Sequence, residues 1–223
     1  MNTLRELLRA DAEAITAFDR RRALEWALVI VAGCGVYGIT VGIWRAPLQA
    51  GYTALKFPLL ISLTCAANAL LSGMIAQLLG SGLSFRQSSA AILMSFATAA
   101  IILGALSPIT LFVIYNAPAL NSSTRVLGHS IVLLMHVFLI AYAGVVANRR
   151  LLRMLQQLTG SRAIAWRVLV SWLAGNLLLG AQLAWVLRPF IGSPQLAVQF
   201  LRDDPLRGNF YEAVARALGH LFR

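Results

Sequence analysis

His129 and His136 are the first residues whose chemistry needs explaining. They stand seven positions apart in one apolar run, which on a helix gives a shared face but a separation of two turns, about 10.5 Å. A single metal ion is better served by histidines at i and i+4, and bis-histidine haem ligation would draw on facing helices that offer no further histidine. The pair therefore reads as hydrogen-bonded packing residues. A pH-sensitive contact, or a ligand set completed by another protein, is the alternative.

Other reactive types are equally sparse in pattern. Cys34 and Cys65 fall inside apolar runs without CxxC or Cys/His spacing, and read as small buried hydrophobes. Asp203 and Asp204 form an acidic pair, but calcium wants six to eight oxygens in an EF-hand-like spacing that is absent. Pairing with Arg202 or Arg207, or a turn capped by aspartate, is the expectation. The chain has no GxSxG, no HExxH, no paired catalytic carboxylates and no Gly-rich phosphate loop. No enzymatic activity, metal or cofactor is expected from these residues.

The elements that carry them are set by composition. Of 223 residues, 59% are hydrophobic and only 12% charged, against about a quarter charged in soluble domains. Five stretches reach the roughly 20 apolar residues that a bilayer core requires: Leu24 to Trp44, Phe57 to Leu79, Ser88 to Tyr115, Val126 to Asn148 and Ala165 to Leu187. The expected fold is an all-α polytopic helical bundle of five transmembrane helices with amphipathic helices at both ends. It divides into a cytoplasmic segment 1–23, a bundle 24–187 and an extracytoplasmic tail 188–223. The leading segment is polar and amphipathic, so no cleavable signal peptide is expected.

Nineteen basic residues against eight acids give a net charge of +11. Their distribution fits positive-inside orientation rather than nucleic-acid binding. Arg5, Arg9 and Arg20 to Arg22 precede the first span, Arg86 follows the second, and Arg149, Arg150, Arg153 and Arg162 follow the fourth; the alternate connections hold Arg45, Lys56 and Arg125. This places the amino terminus in the cytoplasm of what reads as a bacterial inner membrane, and the tail outside. Five tail arginines, Arg188, Arg202, Arg207, Arg216 and Arg223, weaken the asymmetry.

Within these spans no Asp, Glu, Lys or Arg is central; Glu25, Arg86, Arg125 and Arg167 sit at ends. Intramembrane charge marks ion and substrate pathways, so its absence counts against a coupled transporter. What the spans hold instead is small residues and amides. Gly38 and Gly42 form a GxxxG, Ser171 and Gly175 repeat the spacing, and Asn68, Gln77, Asn176 and Gln182 place amides in the second and fifth spans. Such residues join helices in lipid. Pro58 is expected to open the second helix, and Pro108 to kink the third or end it near Leu106.

Both ends look amphipathic. Leu4, Leu7, Leu8, Ile15 and Phe18 share one side of a helical wheel, suiting either a helix in the headgroup region or a self-packing or partner-binding helix. In the tail Asn209 is placed to cap a helix with Glu212 reaching back, followed by an apolar face of Phe210, Val214, Ala217, Leu218 and Leu221.

The segment Ala54 to Ile109, with Lys-x-Pro at Lys56, Leu-Leu-Gly at Leu78 to Gly80, Ser-Phe-Arg-Gln at Ser84 to Gln87 and a Ser-Phe in the next helix, resembles the central part of the Yip family of Ypt-interacting proteins. That resemblance implies five spans with a cytoplasmic amino terminus. It carries over no binding residues.

The resulting expectation is a non-enzymatic membrane protein that scaffolds or organises a complex. Its contacts would come from tail residues Phe190, Asp203, Asp204, Phe210 and Tyr211 and from Arg149, Arg150 and Arg153. Expected partners are membrane lipids and other membrane subunits or further copies of itself. One rival is a transporter or lipid-handling protein with Asn68, Gln77, Asn176 and Gln182 lining one crevice. The other is a redox-complex subunit holding haem or quinone at His129 and His136.

Overall fold

A computed structural model describes residues 3–9, 12–118, 120 and 123–221. The described residues form eight helices in order: α1 (Thr3–Arg9), α2 (Ala12–Thr16), α3 (Arg20–Ile43), α4 (Pro47–Leu78), α5 (Phe85–Asn116), α6 (Arg125–Thr159), α7 (Arg162–Val186) and α8 (Phe210–Leu221). The described residues contain no strand. Helices α3 to α7 are each long and apolar enough to cross a bilayer. Large apolar side chains point outward along the bundle, among them Leu70, Phe112, Phe138 and Leu178, a surface that requires lipid. The chain is an integral membrane protein with an all-α bundle.

Local signals set the helix starts. Asp19 accepts from the Arg22 amide to open α3, Ser84 and Gln87 form a capping box on α5, and Ser161 caps α7. Gly160, at φ +64°, ends α6 in the left-handed conformation. Five crossings put the amino-terminal helices and the tail at opposite ends, called here the amino-terminal side and the tail side.

Several boundaries differ from expectation. α4 begins at Pro47, where proline suits the first turn, so Pro58 lies inside the helix. Lys56 is consequently a fully buried residue of a spanning helix and not part of a connection. The expectation that no Asp, Glu, Lys or Arg lies inside a span is corrected by Lys56. α5 continues past Pro108 to Asn116. There Ser107 donates to the Leu103 carbonyl and Thr110 to that of Ser107, side-chain bonds of the kind that make proline tolerable in membrane helices. α6 runs to Thr159 and absorbs Arg149, Arg150 and Arg153, leaving a turn of only two residues before α7.

The amino-terminal segment forms two short helices packed on the bundle. Leu7 and Ile15 are buried, the Leu7 carbonyl accepts from Thr98 and the Leu8 carbonyl from Arg150, while Leu4 and Leu8 stay exposed. These helices are thus packed on the bundle through Leu7 and Ile15. α3 lies against α4 and α5, and the GxxxG is its seam with α4: a Cβ built at Gly38 or Gly42 would stand 2.5 Å from the carbonyl oxygen of Thr53 or Gln49. Only glycine permits that approach.

Candidate functional site on the tail side

The first three turns of α4 carry Gln49, Thr53 and Lys56 at i, i+4 and i+7, one face of the helix. All three are buried, and all three reach backbone carbonyls of the segment that follows α7. Lys56 Nζ donates to the Pro189 oxygen at 2.8 Å. Gln49 Nε2 donates to the oxygens of Pro189 (3.0 Å) and Phe190 (2.6 Å), and Thr53 Oγ1 to that of Phe190 at 3.1 Å. Lys56 stands about 13.5 Å along α4 from Pro47 by the helix rise, yet meets a residue just past the end of α7. α4 therefore overhangs α7, and the irregular segment 188–207, called here the strap, begins in that step. Irregular backbone beside spanning helices is tolerated where protein groups bond it, which these three side chains do.

Aromatic rings complete the enclosure. Lys56 Nζ lies 4.8 Å from the Phe200 ring centroid and 5.8 Å from that of Phe190, within cation–π range. Tyr52 meets Phe200 edge-on at 5.3 Å, and Phe57 meets Phe190 at 6.2 Å. Phe190, expected as an outward contact, is instead an internal anchor. Further along, Arg45 donates to the carbonyls of Ser193 (3.2 Å) and Leu196 (3.1 Å). Arg188 donates to those of Asp204 and Arg207 while stacking on Trp185 at 4.1 Å. The Asp204 carboxylate also lies nearest Arg188, at 3.8 Å, so the acidic pair finds neither Arg202 nor Arg207 as its ion-pair partner, contrary to expectation.

Asp203, Asp204 and Tyr211 are exposed and Phe210 is half-buried. Asn209 caps α8 by accepting from the Glu212 amide at 3.0 Å and bonding its carboxylate through the side-chain amide at 2.6 Å. The side chains of Ala217 and Leu221, and all of Arg223, lie outside the described residues. On the amino-terminal side Arg149 and Arg153 are exposed, while Arg150 is partly engaged by the Leu8 carbonyl.

The histidines do not converge. His129 packs on Trp44 with ring centroids 5.9 Å apart, whereas His136 is buried with Nδ1 2.8 Å from the Tyr37 hydroxyl. Tyr37 in turn packs edge-on against Phe57. Of the four amides, Asn68 donates to Asn176 at 2.9 Å across the α4–α7 seam, beside a bond from Trp172 Nε1 to the Ser72 carbonyl. Gln77 and Gln182 are exposed and share no crevice with them. The Asn pair borders a cavity of about 20 Å³, lined also by Ser95, Asn148 and Trp172, room for about one water molecule.

Sequence reasoning missed Gln49, Tyr52, Thr53, Lys56 and Phe200 as parts of one site. The available signal was Lys56 itself, the single lysine among 19 basic residues, with polar residues three and seven positions before it. No protein-family model, curated protein or solved structure matches this chain.

Proposed function

We propose that the protein is a non-enzymatic organising component of a membrane complex, with the tail side as its principal contact surface. The observation that carries this reading is the capture of the strap by Lys56, Gln49, Thr53 and Arg45. An irregular segment held this way presents its free side chains in a fixed arrangement, which lowers the ordering cost of association. Those side chains are apolar and acidic: Leu196, Leu201, Leu206 and Tyr211 are exposed, beside Asp203 and Asp204. Exposed Arg149 and Arg153 are the second surface, at the opposite end.

The proposal includes a bacterial inner membrane, a cytoplasmic amino terminus and the Yip-like relationship for fold and topology. It includes no GTPase-binding residues. The transporter alternative is less well supported because Asn68 and Asn176 bond to each other while Gln77 and Gln182 point elsewhere.

Affinity purification with mass spectrometry from cells carrying Leu206→Asp/Tyr211→Ala tests it, since neither residue anchors the strap. Loss of one or more co-purifying membrane proteins, with the protein itself retained at normal level, is the expected result. An unchanged set of co-purifying proteins overturns the tail-side assignment.

A further inference from the structure

The strap gathers positive charge that its own acids do not offset. Arg45, Lys56, Arg188, Arg202 and Arg207 surround or lie in residues 188–207, whereas only Asp203 and Asp204 oppose them. Arg45, Arg188 and Arg202 are fixed by bonds to carbonyls. Arg45 Nη2 holds the Leu196 oxygen at 3.1 Å, and Arg202 Nη1 holds the oxygen of the next residue, Ala197, at 3.3 Å, as well as Gln199 Oε1 at 2.8 Å. Two guanidinium groups are thereby held on adjacent peptide units. Among the described residues, Arg45 Nη1 and Arg202 Nε and Nη2 have no bonding partner. Partial burial and the Arg188 guanidinium hold Arg202 below its ordinary value, with Arg45 adding to that effect and Asp203 and Asp204 opposing it. A like-charge cluster held by structure calls for an external anion.

We propose that Arg45 and Arg202 bind a phosphate group, that of an anionic phospholipid headgroup or of a free phosphate ion. Planar guanidinium forks with unspent N–H groups match phosphate oxygens in a way a lone ammonium does not. Arg45 lies between the end of α3 and the start of α4, and the strap brings Arg202 to it there, at the end of spanning helices, the level at which a bilayer would present its headgroups. Lys56 adds nearby positive charge but is sealed from contact. This site is independent of any protein partner on the outer face of the tail.

The test is native mass spectrometry of the full chain in detergent, titrated with phosphatidylglycerol or phosphatidylcholine. Arg45→Gln/Arg202→Gln should bind phosphatidylglycerol about tenfold more weakly, a change of about 1.4 kcal/mol, with phosphatidylcholine unaffected. Arg149→Gln/Arg153→Gln removes the same charge from the opposite side and should cost clearly less. A second arm follows the thermal midpoint of delipidated protein in inorganic phosphate against chloride at equal ionic strength. A phosphate-dependent rise that the double variant loses, without a phosphatidylglycerol effect, assigns the site to the free ion. Arg202→Gln alone, which removes bonds only within the strap, repeats both arms if the double variant is unstable. Unchanged binding in both arms, or a loss no larger than that of Arg149→Gln/Arg153→Gln, overturns the proposal.

Discussion

The amine of Lys56 donates to the carbonyl of Pro189, 133 positions later in the chain, at 2.8 Å and out of contact with solvent. A buried cation needs compensation, and here a carbonyl and two aromatic faces supply it in place of a carboxylate. Lysine and strap therefore depend on each other: the side chain gives the backbone a donor, and the backbone gives the side chain its shelter.

Lys56→Met keeps the length of the side chain and removes its donor. Pro189 retains its bond from Gln49, so the expected loss of stability is modest, about 1–2 kcal/mol. Amide exchange should quicken in residues 190–200 while the spanning helices stay protected. Unchanged exchange in the strap would refute the anchoring role of Lys56.

Tyr37 and His136 supply a second buried bond, and among the described residues His136 Nε2 has no partner. Tyr37→Phe should destabilise by about 1–2 kcal/mol, because it leaves the ring without its hydroxyl. His136→Leu should cost a similar amount by leaving the tyrosine hydroxyl unpaired. The double variant should cost less than the sum, which a double-mutant cycle of thermal midpoints in detergent reads directly. Simple additivity would mean that the two groups are not coupled.

Gly42 and Gly51 make opposite predictions. A Cβ at Gly42 meets the Gln49 carbonyl, whereas one at Gly51 meets nothing within 4 Å. Gly42→Val should disrupt the α3–α4 seam by several kcal/mol, as overpacking does, and broaden the size-exclusion peak. Gly51→Ala, in the same helix pair, should be neutral or stabilising by about 0.5–1 kcal/mol.

Arg150→Cys and Asp203→Cys report the crossing number. The native thiols, Cys34 and Cys65, are buried, so an impermeant maleimide should label only the introduced cysteine. The two variants should label from opposite faces of the membrane, and on the proposed orientation Asp203→Cys reacts in intact bacterial cells and Arg150→Cys only after permeabilisation. Labelling of both from one side contradicts five crossings.

Class and crossing number were legible in the sequence because apolar runs and their punctuation depend on local composition. Asn68 and Gly38 were likewise legible as packing residues from their types. The strap site was not. A run bounded by hydropathy excludes Gln49, Thr53 and Lys56, since the carbonyls that draw them into one site lie more than 130 positions away. Phe190 was misread for the same reason: in a loop without periodicity, an aromatic facing inward and one facing outward look alike. Gln77 and Asn68 were indistinguishable as amides until the helices' facing surfaces were known.

The 35 residues of α6 extend about 52 Å by the helix rise, well beyond a hydrocarbon layer of about 30 Å. It bears on α2 and on α8, and its Arg150 grips the Leu8 carbonyl of α1. It is one continuous strut that bears on α2 and α8 while packed on α5 and α7, so a tilt imposed through either appendage reaches the other only by shearing those two seams.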